Sequence, residues 1–229
     1  MIKNDTPTEK NYNHISGINY PYIVDYIQNT VGNSQGILNE LERYADLNKV
    51  PIIEKEVRAL LETYLEITKP FRVVEIGTAI GYSAILFAQY LKNGGEVITL
   101  EKDEKMCALA VENINKAHCA DKIKIICGDA LETVYNIDKP IDFIFLDANK
   151  SHYGEYFDAL FPHLNVGGMI ICDNILYKGM VASDDLLPRK HYTIVRALRK
   201  FLPFLCENKS LKTSIIPISD GVSVSVRIN

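Results

Sequence analysis

The chain has 229 residues, 47% hydrophobic and 24% charged, with a formal net charge of −4. That balance supports a packed core and one α/β domain, and it lacks the overall basic field of a histone-like or coat-like nucleic-acid binder. No run approaches the about 18 apolar residues of a membrane span, and the polar opening MIKNDTPTEKNYNHISG has no secretory apolar stretch, so a soluble cytoplasmic protein is expected.

Residues 1–19 read as a flexible polar lead-in, followed by a single domain over 20–229. Between Tyr20 and Lys49 the apolar residues Ile23, Tyr26, Ile27, Ile37, Leu38, Leu41, Tyr44 and Leu47 recur at three and four residues, which predicts two helices broken near Gly32–Ser34. Val50-Pro51 interrupts them, and a third helix is expected over Ile52–Ile67, completing N-terminal helices over 20–67. After Pro70 short apolar runs alternate with amphipathic segments. Strands are expected at Phe71–Ile76, Glu96–Leu100, Lys122–Cys127, Ile141–Leu146 and Met169–Cys172, with helices near Tyr82–Leu91, Glu104–His118, Leu131–Asn136 and Tyr153–Leu164. A basic amphipathic helix over Lys190–Leu202 follows, then two runs, Leu211–Pro217 and Val222–Ile228, joined by Ser219-Asp220-Gly221 as a hairpin turn. Alternating strands and helices, with strands apolar on both faces, predict a Rossmann-like α/β core over 71–229. The expected sheet is seven-stranded and mostly parallel, with helices on both faces and a C-terminal antiparallel hairpin. Cys107, Cys119, Cys127, Cys172 and Cys206 include no C-x-x-C pair, so buried thiols in a reducing compartment are expected.

The first strand runs into Glu75-Ile76-Gly77-Thr78-Ala79-Ile80-Gly81-Tyr82-Ser83. Glycines there permit a tight turn and close backbone approach to a ligand, but the spacing is not the G-x-G-x-x-G of dinucleotide binders. Glu75 would repel a pyrophosphate and suits a cationic ligand. The second strand ends in Glu101, the usual place for an acid that holds two ribose hydroxyls, and the third is followed by Gly128-Asp129-Ala130, which can frame an adenine. Acids at three successive strand ends favour the sulfonium S-adenosylmethionine (SAM) over NAD.

The fourth strand ends in Asp147-Ala148-Asn149-Lys150 and the fifth in Cys172-Asp173-Asn174. Neighbouring strand ends place Asp147, Asp173 and Asn174 beside the same crevice, and hard oxygen donors of this kind suit Mg²⁺, with Mn²⁺ or Ca²⁺ as substitutes. The histidines are scattered without zinc spacing. A divalent ion there can chelate two adjacent substrate oxygens and acidify a hydroxyl, while Lys150 takes or accommodates its proton. Each residue also has a plainer use: Asp173-Asn174 as a turn cap and Lys150 as a solvated surface lysine.

The motifs VPIIEKE, EIGTAIGYSAI, GDALE, IFLDANK, CDNILYKGMVA and IIPISDGVSVS together resemble the cation-dependent O-methyltransferase family of catechol and caffeoyl-CoA methyltransferases, over Val50–Asn229. The resemblance implies SAM contacts from Ile53, Glu75, Gly77, Ser83, Glu101, Asp129, Ala130 and Asp147, metal ligation by Asp147, Asp173 and Asn174, Lys150 as the catalytic lysine, and a homodimer. Within the family, the VPI-x-EK entry, the GTAIGYSAI loop and the DN-x-L-x-KG-x-VA stretch look most like the bacterial tRNA 5-hydroxyuridine methyltransferases. That likeness implies a tRNA partner, methylated at the wobble uridine to 5-methoxyuridine. From Lys178 to Lys200, Lys178, Arg189, Lys190, Arg196, Arg199 and Lys200 face only Asp184 and Asp185, a local excess where RNA phosphates could dock. A basic helix is equally often a solvated face. Asn149 stands where the family usually has alanine, which can alter the substrate's space, and Ser219 stands where it has glycine, a change expected to touch only the turn. Two other readings stay open: a small-molecule acceptor with vicinal aromatic oxygens, and, from a different class, a non-catalytic nucleotide-binding module or NAD-dependent oxidoreductase.

Overall fold

In the computed structural model, which describes residues 18–229, seven strands form one sheet. They are β1 (Arg72–Ile76), β2 (Glu96–Glu101), β3 (Ile123–Cys127), β4 (Ile141–Leu146), β5 (Leu164–Cys172), β6 (Leu211–Ile216) and β7 (Val222–Arg227), in the spatial order β3-β2-β1-β4-β5-β7-β6. β1 to β5 pair in parallel, whereas β7 runs antiparallel to both β5 and β6. Chain order reverses between β1 and β4, so the crevice of an open α/β sheet is expected at their carboxyl ends. The hairpin expected at Ser219-Asp220-Gly221 is the β6–β7 connection.

The helices are α1 (Pro21–Val31), α2 (Gly36–Asn48), α3 (Lys55–Thr68), α4 (Tyr82–Ala88), α5 (Glu104–Lys116), α6 (Ala130–Thr133), α7 (Tyr153–Leu160) and α8 (Tyr192–Glu207). α1 begins with Pro21 in its first turn and stops at Gly32, whose φ of 75° ends the helix within the expected break. Strand alternation divides the core into two layers. Val73, Phe143, Phe145 and Ile171 point to one face and pack with Leu41, Leu61, Ile85 and Phe87 of α2, α3 and α4. Val74, Ile76, Ile144, Leu146 and Ile170 point to the other and pack with Tyr153, Phe157, Leu198 and Phe201 of α7 and α8. α8 continues past the expected Leu202 and through Pro203, because Leu202 and Leu205 on either side are buried against this second layer.

Two expectations need correction. β3 is not buried on both faces: it is the sheet edge, and Lys124 and Cys127 are exposed. Nor are the cysteines uniformly buried thiols. Cys107 and Cys127 are joined in a disulfide, with Cα atoms 6.3 Å apart, and of the remaining three only Cys172 is buried. The reason is tertiary: α5 folds back on β3 and brings together residues 20 apart in sequence, a pairing that local Cys spacing does not reveal.

The lead-in expected over 1–19 lies outside the described residues except for Ile18 and Asn19. Asn19 is tied down, its Nδ2 donating to the Pro217 carbonyl at 2.8 Å. Among the described residues no helix is long and apolar enough to cross a membrane.

Candidate active site

The parallel ladder continues beyond the strand ends. Gly77 N donates to Leu100 O at 3.0 Å, Asp147 N to Ile76 O at 2.9 Å, and Asp173 N to Leu146 O at 3.0 Å. The loops leaving β1, β4 and β5 are thereby held side by side. Gly77 has a φ of +108°, and a Cβ on it would lie 2.4 Å from the Asp147 carbonyl oxygen, so both its conformation and its neighbour demand glycine.

A cleft of about 910 Å³ opens over these loops, and Ile53, Gly77, Glu101, Asp129, Ala130, Asp147, Lys150, Asp173 and Asn174 all line it. The structure therefore brings together nine of the eleven residues singled out from the sequence. Glu75 and Ser83 do not reach the open surface of the cleft; both are buried, Glu75 completely.

On the β1–β3 side the acids are held by the protein itself. Glu101 Oε2 accepts from Ala79 N at 2.9 Å, and Oε1 accepts from Lys102 N and Asp103 N, each at 2.9 Å. Asp129 accepts from Leu131 N at 3.0 Å at the start of α6 and from Lys102 Nζ at 2.7 Å. The lysine ammonium, with the Leu131 amide, keeps the Asp129 carboxyl below its ordinary range. Thr99 Oγ1 donates to Glu75 Oε2 at 2.5 Å, which leaves Thr78 to donate to Thr99 across 2.6 Å. Glu75 Oε1 is buried without a hydrogen bond. Burial pushes the Glu75 carboxyl up to about 7, with the Ser83 and Thr99 hydroxyls opposing the shift only in part.

On the β4–β5 side Lys150 Nζ lies 2.9 Å from Asp147 Oδ1. Asn149 starts the short 3₁₀ turn that carries Lys150, its Oδ1 accepting from Ser151 N at 3.2 Å and Ser151 Oγ at 2.8 Å. Asp173 is only 2% exposed and accepts from Asn174 N at 2.7 Å. Burial first, and then the nearby Asp147 carboxylate, push its carboxyl up to about 8. Asn174 is left-handed, with φ 54°, a conformation asparagine tolerates better than most residues. Among the described residues no three His, Cys, Asp or Glu side chains converge on a metal-sized site; the set at these strand ends is two carboxylates and one amide. Two carboxylates, one of them buried and held by a single amide, fit a hard cation, because a cation offsets the cost of their charge.

Residues outside that set also take part in this arrangement, and Tyr153 carries no sequence signal of its own. Tyr153 is fully buried, and its hydroxyl lies 2.9 Å from the Leu146 carbonyl and 3.0 Å from the Asp173 carbonyl, clamping the ends of β4 and β5 together. Asp220, Ser219 and Lys178 line the cleft. Ser219 adopts φ 49°, which explains why glycine suits the position, and it reaches the cleft rather than serving the turn alone. The basic stretch before and along α8 is partly structural: Arg199 donates to Val181 O at 2.9 Å and Met180 O at 3.1 Å and pairs with Asp184 at 2.5 Å.

Comparison with known proteins points the same way. The O-methyltransferase family profile matches residues 28–228. A caffeoyl-CoA O-methyltransferase of Populus kitakamiensis is 31% identical over 194 residues, covering 82% of this chain and 82% of its own. The S-adenosylhomocysteine (SAH)-bound methyltransferase PaMTH1 of Podospora anserina superposes with a TM-score of 0.81 at 26% identity, covering 91% of this chain and 94% of its own. An O-methyltransferase of Bacillus cereus in complex with SAH does so with a TM-score of 0.79 at 26% identity, covering 90% and 97%.

Proposed function

The chain belongs to the O-methyltransferase family and is a SAM-dependent methyltransferase, and we propose that it methylates a hydroxyl adjacent to a second, metal-chelating oxygen, on a small aromatic acceptor. The observation that carries this reading is the pair Asp147 and Asp173 beside Asn174 and Lys150 in one cleft. The relative named for caffeoyl-CoA supports it, since a caffeoyl group presents two vicinal phenolic oxygens.

In this reading Glu101 accepts from the two ribose hydroxyls of SAM, its carboxylate already oriented by three backbone amides. Asp129 and Ala130 frame the adenine, while Ile53, Gly77 and Asp147 contact the methionyl part, with Glu75 and Ser83 behind them. SAM, when bound, supplies a methyl group on a sulfonium. Asp147, Asp173 and Asn174 would hold a divalent ion such as Mg²⁺, or Mn²⁺ or Ca²⁺ in its place, which when bound lowers the pKa of a chelated hydroxyl. Lys150, held by Asp147, takes the hydroxyl proton once it has given up its own, and as an ammonium it stabilises the oxyanion instead. The acceptor oxygen forms its bond to the methyl carbon as the carbon–sulfur bond breaks, leaving SAH and a released proton. Holding oxygen, carbon and sulfur in line is most of what the cleft contributes.

A second acceptor, 5-hydroxyuridine at the wobble position of tRNA, is favoured by one observation. Lys178 stands at the cleft, and the exposed Lys190, Arg196 and Lys200 form no ion pair among the described residues. Its 5-hydroxyl and 4-carbonyl form a vicinal oxygen pair like that of a catechol.

Methyl transfer from labelled SAM to caffeate and to hydroxyuridine-containing tRNA, with and without EDTA, tests both. Turnover of caffeate that EDTA abolishes supports the first reading. Transfer to tRNA alone, lost in Arg196→Ala with Lys200→Ala, replaces it with the second. Turnover indifferent to EDTA removes the metal from either.

A further inference from the structure

Resting on the methyltransferase reading, we infer that Asp220 is a positioning residue for acceptor binding, which holds the segment after Asn174 in a backbone conformation the segment does not favour by itself. Tyr177 and Lys178 are consecutive non-glycine residues in the left-handed region, with φ 46° and 56°. Side chains disfavour that region, and two such residues in succession persist only where surrounding contacts dictate them. The contacts come from the β6–β7 turn. Asp220 Oδ1 accepts from Lys178 N, 42 residues away in sequence. Leu176 N donates to the Asp220 carbonyl at 3.0 Å and Ile175 N to the Gly221 carbonyl at 2.9 Å. A Cβ on Gly221 would lie 2.4 Å from Leu176 Cγ, so this turn and the segment fit against each other without slack.

Asp220, Lys178 and Asn174 line the same cleft. The acceptor wall therefore begins at a proposed metal ligand, passes through two left-handed residues, and is pinned by one carboxylate from the far end of the chain. A bond from a backbone amide to a carboxylate is charge-assisted and stronger than one to a neutral acceptor. Replacing it with nothing frees Lys178 to leave the left-handed region and carries the wall with it.

The test combines hydrogen exchange over residues 175–182 with caffeate kinetics at saturating SAM and Mg²⁺, in Asp220→Ala, Asp220→Asn and Asp220→Glu. In Asp220→Ala, amide exchange in that segment is expected to accelerate about tenfold and the caffeate KM to rise about tenfold, the scale of one lost charge-assisted hydrogen bond. SAH affinity, read by calorimetry, stays at the wild-type level. Asp220→Asn recovers most of both, because its amide oxygen still accepts from Lys178 N. Asp220→Glu, which keeps the charge but displaces the oxygen, behaves like the alanine variant and gives the same reading should the alanine variant not fold. Unchanged exchange over 175–182 overturns the inference. So does a glutamate variant as good as wild type, which would assign the effect to charge, or a loss of SAH affinity equal to the acceptor loss, which would make it general destabilisation. A wild-type enzyme inert towards caffeate removes the small-acceptor reading but leaves the exchange result to decide Asp220.

Discussion

At the carboxyl ends of β2 and β3, Glu101 and Asp129 have their oxygens engaged by backbone amides and by Lys102. At the ends of β4 and β5, Asp173 is buried with one amide for company, and Asp147 has one lysine. The first half is finished before any ligand arrives: its carboxylates are oriented and keep lone pairs free to accept from hydroxyls. In the second half burial and the neighbouring Asp147 disfavour charge on Asp173, an arrangement that suits the cation proposed for it rather than a donor.

Breaking the second half has the largest expected effect. Asp173→Ala lowers turnover more than about 100-fold, beyond the loss typical of outer-sphere changes at metal sites, while SAH binding by calorimetry is nearly unchanged. A parallel loss of SAH affinity would mean that the two halves are not separate. Next comes Glu75, which lies under the boundary between them. Its folded-state carboxyl is raised to about 7 from an ordinary 4.5, so its contribution is fully present below pH 4.5 and is lost as pH rises through 7. The corresponding stability change is up to about 3 kcal/mol. Thermal melts of ligand-free wild type and Glu75→Gln across pH 5–8 check this: wild type falls more steeply with pH, and parallel curves would contradict the assignment to Glu75. Glu101→Ala then weakens SAH binding about tenfold or somewhat more, through two lost hydrogen bonds to ribose, but leaves turnover at saturating SAM close to wild type. The smallest effect sharpens the β4–β5 clamp: Tyr153→Phe removes one buried hydrogen bond, costing about 1 kcal/mol and a melting shift of about 2–4 °C.

The strands and the residues at their ends were legible because a parallel sheet writes itself as short apolar runs, and each run stops where the ladder stops. Gly77, Asp147 and Asp173 follow such runs directly, Glu101 closes β2, and Asp129 comes two residues after β3. What could not be read depends on which distant segment returns to the site. Tyr153 looks like an ordinary amphipathic-helix residue until its hydroxyl is seen between two strand ends. The Cys107–Cys127 link needs the packing of α5 on β3, and Asp220 needs the register of β7 on β5, which places Ser223 opposite Cys172 and so brings the hairpin turn beside Asp173. The exposure of β3 is likewise a property of strand order, which apolar content does not encode.

The missing side chain of Gly77 has a mechanical consequence. With the Asp147 carbonyl occupying the space a Cβ would need, the loop after β1 and the loop that carries Lys150 meet backbone to backbone, so any side chain at position 77 would push the two apart. A change at this one position is thus felt in both halves of the cleft at once.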